Sequence, residues 1–399
     1  MKLLFITDNF VPELNAPATR TYEHCKEWVK SGVDVTVITC VPNFPKGKVF
    51  NGYKNKLYQK EIIDGIKVIR VWTFIAANKG FVKRILDYTS FMVSSFLAGL
   101  FVKTDVIVAT SPQFFTAISG RWLGFWKRKK WIMEVRDLWP ESIKAVGAMQ
   151  GGLVIRFFEY LEKSMYQKAN KIVVVTDSFK KILIEKHHIP NNKIEVIKNG
   201  INSELFNPLP KNKVLLKRLN LENKIIIGYM GTHGMAHGLD FIMKSAKNIK
   251  NNNLHFLFLG DGAKKDELLA LKDFLKLENV SMLPSVNKSE VANYISILDI
   301  ALVNLRKSDT FKSVIPSKIF ELSAMHKPIL LGVEGEAKQI VESYKIGEAF
   351  EPENEKEFVK KIENILQEKN DYKSGHDRLI KDFERSKLAL KMLDFISNN

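Results

Sequence analysis

Residues 316–321 read Pro-Ser-Lys-Ile-Phe-Glu, and three of these side chains could act on one ligand. Pro316 and Ser317 open a segment of helical composition. Ser317 is placed to cap it, leaving free backbone N–H groups around Ser317 and Lys318. Such N–H groups beside a lysine charge suit a phosphate. Glu321 follows Lys318 by three residues and Ser317 by four, so a helix puts all three on one face. A carboxylate repels phosphate but accepts hydrogen bonds from a vicinal diol such as a ribose. Ser317, Lys318 and Glu321 together therefore suit a nucleoside diphosphate. The plainer alternative is a capped surface helix, against which stand the apolar neighbours Ile319, Phe320, Leu322, Ala324 and Met325.

Two other stretches have the composition of anion-binding loops. Residues 228–238, GYMGTHGMAHG, combine glycines with two histidines, and residues 258–268, FLGDGAKKDEL, set Asp261 between Gly260 and Gly262. Asp137 and Glu141 in EVRDLWPES (134–142) invite an acid–base role, or equally the fixing of a helix start, with Pro140 at its first position. Neither GxGxxG nor GxxxxGK[ST] occurs, which argues against a dehydrogenase and an NTPase. There is no Asp-x-Asp pair, so no divalent-ion site is expected.

Parallel strands must position such loops, because ligands in open α/β sheets sit beyond the strands' carboxyl ends. Near-continuous apolar runs recur at 2–7, 33–39, 66–72, 105–110, 130–135 and 171–176, with helical patterns between several of them. The pattern returns at 224–231, 254–260, 280–284, 300–305 and 328–333. A stretch rich in Asn and Pro, 195–210, separates the halves. The expectation is α/β: two doubly wound, Rossmann-like domains facing a cleft, 1–200 and 201–377, with a last helix over 378–397 crossing back to the first.

The 399 residues suit two such domains, and 45% hydrophobic with 26% charged residues suits a globular protein. Cys25 and Cys40 have neither metal nor disulfide spacing, which points to a reducing compartment. The N-terminus reads as a first strand, not a signal peptide. The net charge of +17 is uneven: residues 1–186 hold 29 Lys and Arg against 16 Asp and Glu, and 187–399 hold 32 against 28. A basic first half suggests an anionic partner, nucleic acid or a membrane surface. RWLGFWKRKKW (121–131) interleaves Trp with cations as an interfacial segment does, and reads equally as a basic loop before a strand. The apolar run 91–102 is shorter than the ~20 residues that span a bilayer.

VIKNGIN (196–202), YMGTHG (229–234), FLGDG (258–262) and PSKIFELSAMHKPIL (316–330) resemble the retaining family-4 glycosyltransferases of GT-B fold, across essentially the whole chain. TSPQFF (110–115) and EVRDLWPES resemble the subgroup that builds bacterial O-antigen and capsule sugars, including N-acetyl-fucosamine transferases. The resemblance implies that the second domain holds a UDP-sugar, Glu321 on the ribose and Ser317, Lys318, Gly231, Thr232, His233 and Gly262 about the diphosphate. It further implies an acceptor site on the first domain, to which Asn15, Arg20, Arg136 and Glu141 are assigned, with Lys318 and Asp137 as the candidate catalytic groups. The acceptor it implies is a polyprenyl-diphosphate-linked saccharide at the inner face of the plasma membrane, with no metal and no nucleic acid.

Two departures from the family pattern matter. Ser313 stands where a second glutamate is usual, and His233 and His237 stand where many members place Arg and Lys. Arg306, with Lys318, is the candidate replacement for that charge. Arg136 occupies a position where many members carry histidine. Two other functions compete. A UDP-sugar 2-epimerase of the same fold relies on several acids about the sugar, against which Ser313 counts. A basic nucleic-acid-binding protein has no zinc, RNP or helix-turn-helix signal here.

Overall fold

The computed structural model describes residues 1–44, 47–75, 81–111, 114–138, 152–367 and 372–398. They divide into two compact units, Met1–Lys198 with Arg385–Asn399, and Asn199–Glu384.

The N-terminal unit is built on β1 Lys2–Ile6, β2 Asp34–Cys40, β3 Tyr58–Ile63, β4 Ile66–Val71, β5 Val106–Thr110, β6 Lys130–Val135, β7 Lys171–Val174 and β8 Ile194–Val196. Their order is β3-β4-β2-β1-β5-β6-β7-β8, all parallel except β3, which runs antiparallel to β4. Asp64 and Gly65, both at positive φ, make the tight turn between those two strands. Alternate residues of the central strands enter opposite cores. Leu4, Ile6, Ile107 and Met133 face one way, and Leu3, Phe5, Val108 and Ile132 face the other. Burial on both faces is why these strands read as unbroken apolar runs.

Helices Phe81–Leu100, Phe114–Lys127, Leu153–Lys168 and Asp177–Glu185 contribute to the first core, and Ala16–Lys30 with Arg385–Ser397 to the second. The single terminal helix expected over 378–397 is two helices, Lys373–Asp382 in the C-terminal unit and Arg385–Ser397 in the N-terminal one. Phe383 breaks them: its ring lies 5.1 Å from that of Phe320, and its carbonyl accepts the Ile201 N–H at 2.8 Å. Beyond the break Trp28 Nε1 donates to Ala389 O at 2.7 Å, fixing the returning helix on helix Ala16–Lys30.

The C-terminal unit carries β9 Ile225–Met230, β10 Leu254–Leu259, β11 Val280–Leu283, β12 Ile300–Asn304, β13 Ile329–Gly332 and β14 Gly347–Ala349, in the order β11-β10-β9-β12-β13-β14. The pairings are parallel, so the loops after β9, β10 and β12 leave one edge side by side.

The buried titratable groups pull the units in opposite directions on acidification. Burial lowers His233 and His255 to about 4 and His376 to about 3. An unfolded histidine titrates near 6.5, so as pH falls below that the unfolded C-terminal unit takes up protons that the folded one refuses. Stability there falls by up to ~1.4 kcal/mol per pH unit for each histidine. In the N-terminal unit burial raises Glu13 and Asp87 to about 6 and Asp8 well above its ordinary value. Those carboxyls protonate first in the folded state and stabilise it as pH falls through 6, opposed by His24, which burial holds low. Between pH 7 and 5, hydrogen-exchange protection is expected to fall further in Asn199–Glu384 than in the N-terminal unit. Equal loss in both would contradict this account.

Candidate functional site

At the carboxyl edge of the C-terminal sheet the loops after β9 and β10 interlock. His233 N donates to Asp261 O at 2.9 Å, and Lys264 N donates to His233 O at 2.9 Å. Gly260 and Gly262 have φ of +152° and +155°. A Cβ on Gly260 would stand 1.8 Å from Gly231 O, and one on Gly262 would stand 2.6 Å from His233 O. Only glycine permits this approach. Gly262, expected to face a ligand, therefore makes room for the backbone of His233.

His233 itself is fully buried, and neither ring nitrogen has a hydrogen-bond partner among the described residues. Burial, aided by Lys265, holds its imidazole near 4, so it is neutral at pH 7 and offers one donor and one acceptor. Tyr229 Oη donates to Thr232 O at 2.9 Å beneath the loop, while the Thr232 side chain is exposed. Arg306 stands at the mouth of the β12 loop. Its N–H donates to Ala236 O at 2.8 Å, and its guanidinium pairs with Asp240 at 3.1 Å. With Gly234, Lys264 and Glu267 it borders a surface hollow of about 230 Å³. Asn304, not singled out from the sequence, ends β12 and donates to His237 O at 2.8 Å, its Oδ1 buried without a partner.

Helix Lys318–Ala324 follows β12 and buries Ile319, Phe320, Leu322 and Ala324. The cap expected of Ser317 is absent: that residue already has helical dihedrals, and its side chain makes no capping bond. Lys318 Nζ lies 2.7 Å from Glu321 Oε2, with Glu321 the more buried partner. The two groups share one face as the spacing requires, and an exposed i,i+3 pair of this kind is worth only ~0.5 kcal/mol. Ser313, in the turn Asp309–Ser313, spends its hydroxyl on Thr310 O at 2.9 Å.

In the N-terminal unit two residues expected at the acceptor are committed elsewhere. Asn15 caps helix Ala16–Lys30, accepting from Ala18 N at 2.9 Å and donating to Asn9 Oδ1 at 2.6 Å. Arg20, 2% exposed, pairs with Glu134 at 2.9 Å and donates to the carbonyls of Ile197 and Lys198 at 2.8 Å each. It ties helix, strand β6 and the chain leaving β8 together, and so is structural.

Arg136 differs from Arg20: its Nε and Nη1 are buried with no partner among the described residues, and burial holds the guanidinium near 10 against the pull of Glu134. Asp137 beside it is half-buried. Glu141 lies outside the described residues. Asp8, which the sequence reading passed over, follows β1. Burial, with Asp87 and Glu13 nearby, raises its carboxyl well above the ordinary range.

Two open parallel-sheet units in one chain, with loops gathered at strand carboxyl ends, define the GT-B class of fold. Residues 17–205 match the family model described as Glycosyltransferase Family 4, and residues 211–385 match that of Glycosyl transferases group 1. WcaI of Escherichia coli strain K12, a glycosyl transferase named for colanic acid biosynthesis, is 26% identical over 379 residues, 92% of each chain. Sucrose-phosphate synthase of Thermosynechococcus elongatus superposes with a TM-score of 0.75 at 15% identity, over 98% of this chain and 97% of that one. HepE of Anabaena, solved with UDP-glucose, gives 0.74 at 13% identity, over 100% and 99%. The chain is a glycosyltransferase of GT-B fold, its two halves matching the family 4 and group 1 models in turn.

Replacing Glu321 by Gln keeps the size of the side chain and removes its charge. UDP affinity is expected to drop roughly 10–100-fold, the worth of a charged hydrogen bond, with the melting temperature of the free protein unchanged. Unchanged UDP affinity, measured by calorimetry, would remove Glu321 from the site.

Proposed function

We propose that the protein transfers a sugar, an N-acetylated deoxyhexose, from its UDP conjugate to a polyprenyl-diphosphate-linked saccharide in bacterial surface-polysaccharide synthesis, with retention at the anomeric carbon and without a metal. The observation that carries this reading is the Lys318–Glu321 pair at 2.7 Å on the helix that follows β12, the strand next to β9 in the sheet. A carboxylate for a diol and a cation for a phosphate, on one face at a parallel sheet's carboxyl edge, match the two ends of a nucleoside diphosphate. HepE, with the same fold, was solved with UDP-glucose, and WcaI is named for a surface polysaccharide; both support the donor class and the pathway.

In the proposed reaction the anomeric C–O bond to UDP breaks as the acceptor oxygen bonds the same face of the sugar. The acceptor proton passes to the departing diphosphate oxygen. The chain's own part is to hold both sugars in register and to neutralise the diphosphate through Lys318 and the Thr232 N–H of the loop after β9, the Gly231 N–H being given to Leu259 O at 2.9 Å. Neutral His233 and the half-exposed Arg306 are the further donors assigned to it. Arg136, whose Nε and Nη1 have no partner among the described residues, and Asp137 remain on the acceptor side; Asn15 and Arg20 do not. The enzyme works at the inner face of the plasma membrane, where a lipid-linked acceptor is presented.

With UDP-N-acetylated deoxyhexoses and a polyprenyl-diphosphate acceptor, transfer is expected to give a linkage of the donor's own anomeric configuration by NMR, unaffected by EDTA. Lys318→Ala is expected to lower kcat ~10²–10³-fold. Release of UDP and an epimerised free sugar without acceptor would instead make the chain an epimerase.

A further inference from the structure

We propose that the N-terminal unit lies on an anionic lipid bilayer through the outer side of one helix layer, with the aromatic residues of helix Phe114–Lys127 entering the headgroup region. This deepens the lipid-linked acceptor reading, on which it rests for the presence of a bilayer.

The layer consists of helices Phe81–Leu100, Phe114–Lys127 and Leu153–Lys168, whose inner residues Phe91, Leu123 and Phe158 belong to the sheet's core. Their outer faces are apolar too. On the first helix Leu86, Val93 and Leu97 are exposed at spacings of seven and four, one helical stripe, which Phe101 extends at 86% exposure. On the second, Trp122 is exposed beside Phe125 at 78% and Trp126 at 69%. On the third, Leu153 at 82%, Phe157 and Tyr160 repeat the pattern. The middle helix is joined to both neighbours: the Phe96 and Trp122 rings are 5.6 Å apart, and Arg121 Nη1 donates to Ser164 Oγ at 3.1 Å. The stripes thus adjoin. A soluble surface rarely leaves several large aromatic and aliphatic side chains together in water unless something covers them.

The charge around the patch selects what covers it. Lys127, Arg128, Lys129 and Lys130 follow Trp126 directly, and residues 114–130 contain no Asp or Glu. Lys127 Nζ donates to Leu100 O at 2.8 Å, which places this cation between the ends of the first two helices. Exposed Lys103 follows Phe101. A second copy of the chain would bring the same cations against themselves. A sheet of anionic headgroups over an apolar interior is complementary both to the rim and to the rings. No helix among the described residues is long and apolar enough to cross a membrane, so the surface lies on the bilayer.

The test is sedimentation of the full chain with phosphatidylcholine vesicles, with and without phosphatidylglycerol. Retention is expected on the anionic vesicles. Arg128→Gln with Lys129→Gln should weaken it roughly thirtyfold at low salt, from the usual worth of two basic residues near an anionic surface. Phe125→Ser with Trp126→Ser should abolish it, and brominated lipid should quench tryptophan fluorescence less when Trp122 and Trp126 are both changed to Phe. No retention of the wild type, or retention unaffected by Phe125→Ser with Trp126→Ser, would overturn the proposal. So would self-association that those two changes abolish while vesicles go unbound. UDP binding is read on the same samples. Its persistence without vesicle binding sinks the surface alone, and its loss with vesicle binding intact sinks the transferase reading alone.

Discussion

The close approach of two backbones holds the donor side of this protein together. Gly260 and Gly262 carry no Cβ, and any larger residue would meet Gly231 O or His233 O at 1.8 or 2.6 Å. The loop after β9 can therefore lie flat over the loop after β10, pinned by the bonds of His233 to Asp261 and Lys264. That contact buries the His233 ring with its nitrogens unpartnered and keeps it neutral. A neutral imidazole thus stands where the family pattern has a cation.

The N-terminal unit depends on a different device, a buried guanidinium used as a tie. Arg20 reaches Glu134 on β6 and the carbonyls of Ile197 and Lys198, where the chain leaves this unit. Removing one partner of such a buried pair typically costs ~3–5 kcal/mol, because the other is left charged and desolvated. Arg136, two residues beyond Glu134, is enclosed at Nε and Nη1 too, but those two atoms have no partner among the described residues. Sequence alone ranked the two arginines together. What separates them is which carbonyls and carboxylates the fold brings within reach.

The central strands were legible because burial on both faces writes an unbroken apolar run, as in VIVAT of β5, whereas the edge strands β3, β8 and β14 escaped notice. Strand β3 alternates exposed and half-buried residues, and its signal was the Asp64-Gly65 turn rather than its own composition. Strands β8 and β14, three residues each, are too short to show a period. At the site, spacing placed Lys318 and Glu321 on one face, since helical geometry alone decides that. It misjudged Ser317, because a cap requires extended dihedrals and Ser317 already has helical ones. The terminal helix was read as continuous because its apolar period runs unbroken through Phe383, and tertiary packing against Phe320 stops it.

On the proposed reading the C-terminal unit is a nucleotide-sugar site. Calorimetric titration of the purified protein with UDP, GDP, CDP, ADP and dTDP tests it most directly, since only a ligand that binds the folded state gives heat and raises the melting temperature together. The account predicts saturable binding of UDP and markedly weaker binding of the other four. No binding by any of the five would contradict it.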